Sequence, residues 1–397
     1  MHRTKSGPID RNILARRVGV LQVGKFYPPV RGGMESHLET LCQEIQRETD
    51  VSVLVAQRAA GTIRENVKGI PVTRLRTAFQ ISGASLCPSM PRHIRRAGNA
   101  EIVHIHVPNP PAVMSYLASG HNGHLVVTYH SDLVRQRTLG RMFEPIQARM
   151  LQRADAILVA SPDYLNSSVS LRPHLDRCHV IPLGIHLGQP ERAITVHEIQ
   201  SVRERYGSRI VLGVGRQVYY KGFEYLIEAM RHIQGHLLLV GEGPLNSELK
   251  AKIQIFGLAD RVTMLGAVSA QDLRLYYQSA DIFVLPSVTR TEAFGLVQVE
   301  AMAAGLPVIN TQLDSGVPFV SLHGVTGLTV PPRKPEALAA ALEDLLSDPE
   351  KRASFGRAAR HRAKTEFDAT VMARRTLEVY GSIAGASQTH RVAAASA

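Results

Sequence analysis

The sequence is poor in features that would point to several common classes of protein. It has only three cysteines in 397 residues, Cys42, Cys87 and Cys178, and they lack the paired spacing of a zinc or redox site. We expect reduced and mostly buried thiols. Tryptophan is absent and aromatic residues make up 5% of the chain, which leaves few rings to stack on nucleic-acid bases.

Long apolar runs are also missing. No stretch approaches the roughly 20 uninterrupted apolar residues that a membrane-spanning helix needs. The first 20 residues carry basic side chains where a signal peptide would need an apolar segment. The sequence therefore predicts a protein that stays in the cytoplasm.

Positive charge is concentrated in one half of the chain. The formal net charge is +12, and residues 1–185 hold 23 Lys and Arg against 13 Asp and Glu, whereas residues 186–397 hold 23 against 21. The basic clusters at Arg92–Arg96 and Arg135–Met142 both lie in the first half. Such a surface attracts anions, with nucleic acid, anionic lipid and phosphorylated substrates as candidates, and a merely soluble basic surface is the alternative.

Short β-branched runs alternate with amphipathic helical stretches along the whole chain, which predicts an α/β protein with parallel sheets. The length suits two domains, and we expect two Rossmann-like, doubly wound domains that face a central cleft. The predicted segments are an N-terminal extension (1–17), a first domain (18–185), a linker (186–198), a second domain (199–366), a C-terminal helix that could cross back (367–383), and a disordered tail (384–397).

Two carboxylates stand eight positions apart in the stretch TEAFGLVQVEAMAAGLPVI. We expect Glu292 in the loop after the strand IFVLPS, and Glu300 about a turn and a half along a helix that begins near Phe294 or Gly295. The free N–H groups of Phe294, Gly295 and Leu296 would then form an anion site at the helix N-terminus. A ligand with central phosphates and a hydroxyl-bearing group at each end, such as a sugar nucleotide, would suit this arrangement.

Polar residues also follow other predicted strands. In GVGRQVYYKG, a glycine turn lets backbone approach a phosphate, while Arg216 and Lys221 can give it charge-assisted hydrogen bonds. This spacing is not G-x-G-x-x-G, so nicotinamide binding is only weakly indicated. Gly32 and Gly33 precede a helical stretch in RGGMESHLETL, and His130 ends a strand in LVVTYHSD.

These motifs resemble the retaining glycosyltransferases of family 4, which have the two-Rossmann-domain fold called GT-B. The pattern E-x7-E followed by AMAAGLPVI carries most of the resemblance, which extends over nearly the whole chain. It makes the first domain the acceptor side and the second the nucleotide-sugar-binding side. It implies these site residues: catalytic His130 and Glu292; donor-binding Gly33, Arg216, Lys221, Glu292, Phe294, Gly295, Leu296 and Glu300; and acceptor or loop residues Gly32 and Asp132.

The implied activity is transfer of a sugar from a nucleotide diphosphate sugar to an acceptor hydroxyl, with retention at the anomeric carbon. The stretches YHSDLVRQ and GLVQVEAMAAGLPVIN look most like bacterial enzymes that build surface polysaccharides on lipid carriers, which points to GDP-mannose as a candidate donor. No Asp-x-Asp triplet is present, so we expect no metal and no other cofactor.

A membrane surface is an expected partner of the basic half. Arg92, Arg95 and Arg96 are close enough to act together on anionic lipid at the inner membrane face, and Met90 and Ile94 could reach the head-group boundary.

Three alternatives remain open from the sequence. A nucleotide-sugar 2-epimerase would share the fold, and a nucleic-acid-binding protein would use the basic half, although we expect no nucleic-acid partner. His104 and His106 share one face of a strand, so a metal site there is conceivable; without a third ligand at sensible spacing, we prefer a cleft-lining or core role.

Overall fold

The computed structural model describes residues 17–30, 32–58, 61–81, 84–132, 137–187 and 192–395. The predicted N-terminal extension therefore lies outside the described residues, apart from Arg17. Arg31 of the RGG motif, Arg135 of the second basic cluster and part of the predicted linker also lie outside them.

Sixteen strands occur in the described part of the chain. They are β1 Val18–Val23, β2 Thr49–Gln57, β3 Ile63–Val67, β4 Ile70–Arg76, β5 Phe79–Ile81, β6 Ala84–Leu86, β7 Ile102–Val107, β8 His124–Tyr129, β9 Ala156–Val159, β10 Cys178–Val180, β11 Ile210–Val214, β12 His236–Val240, β13 Val262–Gly266, β14 Ile282–Leu285, β15 Val308–Thr311 and β16 Gly327–Val330.

The same residues contain fourteen α-helices. They are α1 Gly33–Ile45, α2 Met90–Arg96, α3 Pro110–Ser119, α4 Arg137–Arg153, α5 Pro162–Ser167, α6 Val196–Tyr206, α7 Phe223–Ala229, α8 Asn246–Ile255, α9 Ala270–Ser279, α10 Leu296–Ala304, α11 Val317–Val320, α12 Pro335–Ser347, α13 Pro349–Glu366 and α14 Ala369–Ala395. None of the described helices is both long enough and apolar enough to cross a membrane.

The chain forms two compact units. The first unit contains residues 1–129, 135–158 and 373–397, and the second contains residues 130–134 and 159–372. The division differs from a simple boundary at residue 185, because the segment that starts at His130 and the segment that starts at Val159 belong to the second unit.

The second unit is built on a parallel six-stranded sheet. Its order is β13-β12-β11-β14-β15-β16, which is the 3-2-1-4-5-6 order of a Rossmann domain. Ile210, Leu212 and Val214 of β11 belong to one buried apolar cluster, whereas Val211 belongs to a second cluster. Because successive side chains point to opposite faces, both faces of this sheet are covered, and this explains the uninterrupted apolar strands of the sequence.

The first sheet has the order β10-β9-β8-β7-β1-β2-β4-β3. Strands β1, β2, β4, β7 and β8 pair in parallel, as predicted, while β3 pairs antiparallel with β4 at the edge. The sequence analysis did not predict this hairpin. Its turn places Lys68 at φ 53° and Gly69 at φ 88°, a conformation that hairpin turns more often fill with Asn-Gly.

Two predicted boundaries need correction. Helix α6 begins at Val196, inside the predicted linker, because Thr195 and Glu198 form a capping box that starts the helix there. Helix α14 continues to Ala395, through most of the predicted disordered tail (384–397). The last residues are rich in alanine and contain no proline, so helix propensity favours this continuation.

Candidate functional site

An ion pair joins the loops that follow two neighbouring strands of the second unit. Lys221 follows β11 and Glu292 follows β14, and the Lys221 Nζ lies 2.6 Å from the Glu292 Oε2. The two side chains are only 9% and 11% exposed, and the Ser287 hydroxyl also donates to this carboxylate over 3.2 Å. The strand order reverses between β11 and β14, and this is where open parallel sheets bind their ligands.

Two glycines, Gly215 and Gly222, leave the space that the Lys221 side chain and its loop occupy. Gly215 has φ +151°, and a Cβ on it would lie 3.1 Å from the Lys221 Cε. Gly222 has φ +67°, and a Cβ there would lie 2.1 Å from the Pro286 carbonyl oxygen. A larger residue at Gly222 would therefore push the Lys221 loop away from the loop that leads to Glu292.

The N-terminus of α10 lies directly after Glu292. Gly295 is the N-cap residue in the left-handed region, with φ 76°. Among the described residues, the backbone N–H groups of Phe294, Gly295 and Leu296 have no hydrogen-bond acceptor. Phe294 itself is buried and its ring packs 5.7 Å from that of Phe367, so it anchors the helix start in the core. The unsatisfied N–H groups are suited to an anion.

Glu300 lies further along α10, beside a cavity of about 390 Å³ that is also lined by Arg274 and Tyr277. The Tyr277 hydroxyl donates to the Glu300 Oε2 over 2.9 Å. Burial raises the pKa of Glu300, whereas the Tyr277 hydroxyl and the nearby Lys221 charge act in the opposite direction. This carboxylate therefore faces a cavity as a hydrogen-bond acceptor.

His130 and Asp132 belong to the second unit, as Glu292 does. His130 follows β8 directly and is buried. The Asp132 carboxylate forms an ion pair of 2.8 Å with Arg290, two residues before Glu292. Described residues thus link the segment that carries His130 to the loop that carries Glu292.

Comparison with known proteins identifies the family. Residues 31–189 match the model described as Glycosyltransferase Family 4, and residues 197–362 match the model described as Glycosyl transferases group 1. D-rhamnosyltransferase WbpZ of Pseudomonas aeruginosa is 35% identical over 76% of this chain and 79% of its own length. The O-antigen chain mannosyltransferase C of Escherichia coli is 30% identical over 92% of this chain and 98% of its own length. The chain belongs to glycosyltransferase family 4.

One further relative and one solved structure are similar to most of this chain. The GDP-mannose-dependent alpha-(1-6)-phosphatidylinositol monomannoside mannosyltransferase of Mycolicibacterium smegmatis is 28% identical over 86% of this chain and 93% of its own length. The crystal structure of Anabaena HepE in complex with UDP and glucose has a TM-score of 0.76 and 20% identity, over 92% of this chain and 100% of that one. The predicted fold class, two Rossmann-like parallel-sheet domains, is confirmed.

The remaining predicted donor residues of this glycosyltransferase have different surroundings. Arg216 is exposed, whereas Lys221, its predicted partner in gripping the diphosphate, is buried in the ion pair with Glu292. In the first unit, Gly32 is the N-cap of α1 and Gly33 is its first residue. Gly33 is exposed, and a Cβ on it would meet no atom within 4 Å.

His104 and His106 are core residues of the first unit, as we preferred. The His104 ring nitrogens lie 2.6 Å from the Tyr380 hydroxyl and 2.7 Å from the Thr128 hydroxyl. The His106 Nε2 lies 2.9 Å from the Gln22 Oε1. Both nitrogens of His104 are therefore engaged by protein groups, and burial lowers its pKa to about 3.

The residues of the predicted membrane surface divide into an exposed and a buried group. Arg92, Arg95 and Arg96 are all exposed on α2. Met90 and Ile94 are 2% and 0% exposed, so the prediction that they could reach lipid is wrong. They form the inward face of the short helix, because packing against the core removes more apolar surface from water than a single exposed turn would.

Several residues of the site were not singled out from the sequence. Ser287 contacts Glu292, Tyr277 contacts Glu300, and Arg290 contacts Asp132. Arg290 immediately precedes the quoted TEAFG stretch, two residues before Glu292, but an arginine in a loop is usually solvated. The sequence around Tyr277 does not indicate a role for this residue, because its partner Glu300 lies on another helix.

The cysteines agree with expectation, since all three are free and Cys42 and Cys87 are buried.

Proposed function

We propose that this enzyme transfers a sugar from a nucleotide diphosphate sugar to a hydroxyl of a lipid-linked or saccharide acceptor, with retention at the anomeric carbon. GDP-mannose is the first candidate donor, and surface polysaccharide synthesis is the proposed process. The observation that carries the proposal is the Lys221–Glu292 pair, which lies at the strand-order reversal beside the unsatisfied N-terminus of α10.

The donor diphosphate would lie against this helix terminus. The Lys221 ammonium has three N–H donors, so it can keep its contact with Glu292 and also hold a phosphate oxygen. Arg216, exposed on the same loop, adds a second cation, and the N–H groups of Gly295 and Leu296 add fixed dipoles. Together they would stabilise the negative charge that grows on the leaving phosphate.

His130 and Glu292 would act on the transferred sugar by position and charge. The acceptor hydroxyl would attack on the face that the nucleotide leaves, and the departing phosphate would take the hydroxyl proton. Glu292 and His130 would hold the sugar and stabilise the positive charge that develops at its anomeric carbon. The configuration of the product at that carbon, measured by NMR, tests retention, and an inverted product would overturn it.

Glu300 would hold the ribose of the donor through its carboxylate, which Tyr277 orients. Because this contact exists in the ground state and in the transition state alike, Glu300→Ala should raise KM for the donor more than it lowers kcat. The exposed Glu248 of α8 offers a matched control, since Glu248→Ala should change neither constant. A loss confined to kcat would contradict the assignment of Glu300.

The choice of donor and acceptor rests on the relatives. Two of them are named as mannosyltransferases, one of these as a GDP-mannose-dependent phosphatidylinositol monomannoside mannosyltransferase, and a third is named as a rhamnosyltransferase. A lipid acceptor would bring the enzyme to the inner face of the membrane. The exposed Arg92, Arg95 and Arg96 would then contact anionic head groups.

We also propose that the reaction needs no metal ion and no other cofactor. The chain has no Asp-x-Asp triplet to clamp a metal on the diphosphate, and Lys221, Arg216 and the α10 terminus supply positive charge instead. Turnover should survive extensive chelation. A rate that collapses with chelator and returns with one specific divalent ion would show that this is wrong.

A screen of nucleotide diphosphate sugars by thermal shift tests the central proposal. A donor that binds only the folded state raises the unfolding midpoint, and GDP-mannose should raise it most. Absence of any shift and of any transfer would overturn the proposal. Donor incubated without acceptor should remain unchanged, because an isomeric sugar nucleotide would indicate the 2-epimerase alternative. A salt-dependent gel shift would revive nucleic-acid binding.

A further inference from the structure

The ion pair between Arg290 and Asp132 links two loops that carry proposed catalytic groups. Asp132 follows His130 by two residues, and Arg290 precedes Glu292 by two residues. The Arg290 terminal nitrogen lies 2.8 Å from the Asp132 Oδ2, and the two side chains are 30% and 24% exposed. The pair therefore joins the backbone just after His130 to the backbone just before Glu292.

Two further contacts fix Asp132. The Ser168 hydroxyl donates to its second carboxylate oxygen over 3.0 Å. Its backbone N–H donates to the Tyr164 hydroxyl over 2.6 Å. The buried Tyr164 ring also lies beneath the Arg290 guanidinium, 5.1 Å from centroid to Cζ. One aromatic side chain thus supports both members of the ion pair.

Arg290 is held on its other side by the end of α5. Its terminal nitrogens approach the Ser167 carbonyl and the Ser167 hydroxyl, each at 3.4 Å. The Ser167 hydroxyl in turn donates to the Asp314 carbonyl oxygen over 3.0 Å. The guanidinium therefore has a fixed direction, set by α5 and by the segment after β15, rather than the mobility usual for an arginine in a loop.

We infer that Arg290 and Asp132 are positioning residues, whose ion pair holds His130 and Glu292 at the spacing that sugar transfer requires. This inference rests on the proposed function. A partly exposed ion pair contributes little to global stability, so a merely structural role predicts small effects of its loss. A positioning role predicts a large effect on turnover, because misplacement of a reacting group by about 1 Å can cost on the order of 100-fold.

The first test compares Arg290→Gln with Arg203→Gln. Arg203 forms an ion pair of 3.0 Å with Asp281 in the same unit, at similar exposure, but Asp281 lies before β14 rather than after it. We expect Arg290→Gln and Asp132→Asn to lower kcat by roughly 10- to 100-fold, with KM for the donor changed less than about threefold. Arg203→Gln should leave both constants unchanged. Equal effects of Arg290→Gln and Arg203→Gln would overturn the inference.

The second test asks whether the pair acts through the catalytic groups. If Asp132 works by holding His130, then Asp132→Asn should cost nothing further in a His130→Ala background. Arg290→Gln should likewise add nothing to Glu292→Ala. Losses that multiply independently would show that the pair does not act through these groups.

A third measurement needs no activity. Amide hydrogen exchange of residues 128–132 should accelerate about tenfold or more in Arg290→Gln, because the loop loses its anchor on the opposite segment. Arg203→Gln should leave it unchanged, and unchanged exchange in Arg290→Gln would overturn the inference. If no donor supports transfer by the wild-type enzyme, the proposed function fails, while the exchange data still decide whether the ion pair holds this loop.

Discussion

The polar interior around His104 in the first unit and the one around Glu292 in the second unit differ in charge. In the first unit, α2 carries its arginines on the surface, and the interior between the strands and α14 contains a neutral network in which His104 and Gln22 both contact Tyr380; the buried Arg74, paired with Glu65, lies elsewhere in the unit. In the second unit, charged groups lie inside, as the Lys221–Glu292 pair shows. Burying charge is costly unless it is paired, so a protein keeps such groups inside mainly where they have a function.

Burial also shifts pKa values in each unit with different consequences. It lowers the pKa of His104 to about 3, and both ring nitrogens of that histidine contact protein groups. It raises the pKa of Glu300, whose carboxylate lines a cavity. The hydrogen-bonding groups of His104 are thus satisfied by the protein itself. The Glu300 carboxylate, in contrast, faces a cavity that a ligand can occupy.

The largest expected effect is on kcat, when a proposed catalytic side chain in the interior of the second unit is removed. Glu292→Ala should lower kcat by about two orders of magnitude or more, because one preorganised electrostatic group is lost. His130→Ala should lower it by a similar factor. The measurement is turnover with the donor that the thermal-shift screen identifies, and near-normal turnover in either variant would show that other residues carry the chemistry.

Stability provides the control for this prediction. Removal of Glu292 leaves the buried Lys221 charge without its partner, which can cost about 3–5 kcal/mol of unfolding free energy. Glu292→Gln keeps an oxygen near Lys221 and should cost less. If both variants lose turnover but only Glu292→Ala loses stability, the loss of activity is chemical and not a consequence of unfolding.

The second effect concerns the surface charge of the first unit. Each exposed arginine near an anionic membrane contributes about 1 kcal/mol, so a triple Arg92/Arg95/Arg96→Ala variant should partition onto anionic vesicles about 100-fold less. The difference should fade with salt, because exposed charges are screened over roughly 10 Å at 0.1 M. Vesicle co-sedimentation with and without anionic lipid measures it. Equal sedimentation of both proteins on anionic vesicles would mean that the cluster is only a solvated face.

The third effect is acid lability of the neutral interior. Burial lowers the pKa of His37 to about 4 and that of His104 to about 3, from an ordinary value of 6.5. Between pH 6.5 and about 4 the unfolded chain therefore binds protons that the folded chain does not, so the free energy of unfolding falls as pH falls. From pH 6.5 to 5 the loss is about 2 kcal/mol for each histidine.

Urea unfolding at pH 7.5 and pH 5 measures this loss. His104→Gln should reduce the pH dependence of the free energy of unfolding by about one proton. A free energy of unfolding that rises on acidification in this window would contradict the sign of the prediction.

The sequence predicted much of the fold because its parallel strands are fully buried and read as continuous apolar runs. It missed β3 and β4, whose two-residue Lys68–Gly69 turn lacks the usual Asn-Gly signal. For the site, the spacing of Glu292 and Glu300 placed one before the helix and one on it, as found. Their partners could not be predicted, because Tyr277 and Glu300 meet through the packing of α9 on α10, and Asp132 and Arg290 are 158 positions apart.

The smallest expected effects come from removing one tyrosine hydroxyl in the interior of each unit. Tyr277→Phe removes the hydroxyl that donates to Glu300, and Tyr380→Phe removes the hydroxyl that contacts Gln22 and His104. Tyr277→Phe loses the one hydrogen bond to Glu300, whereas Tyr380→Phe loses the hydrogen bonds to both of its partners, and each lost hydrogen bond corresponds to about 1 kcal/mol. In Tyr380→Phe this should appear as a lower free energy of unfolding, with KM for the donor unchanged.

In Tyr277→Phe the loss should appear in substrate binding, as a KM for the donor raised about fivefold, because Glu300 loses the group that orients it. Chemical denaturation gives the free energy of unfolding of both variants, and steady-state kinetics give their KM for the donor. If Tyr380→Phe raised KM as much as Tyr277→Phe does, the neutral network of the first unit would also support donor binding. The contrast between a structural and a ligand-facing interior would then fail.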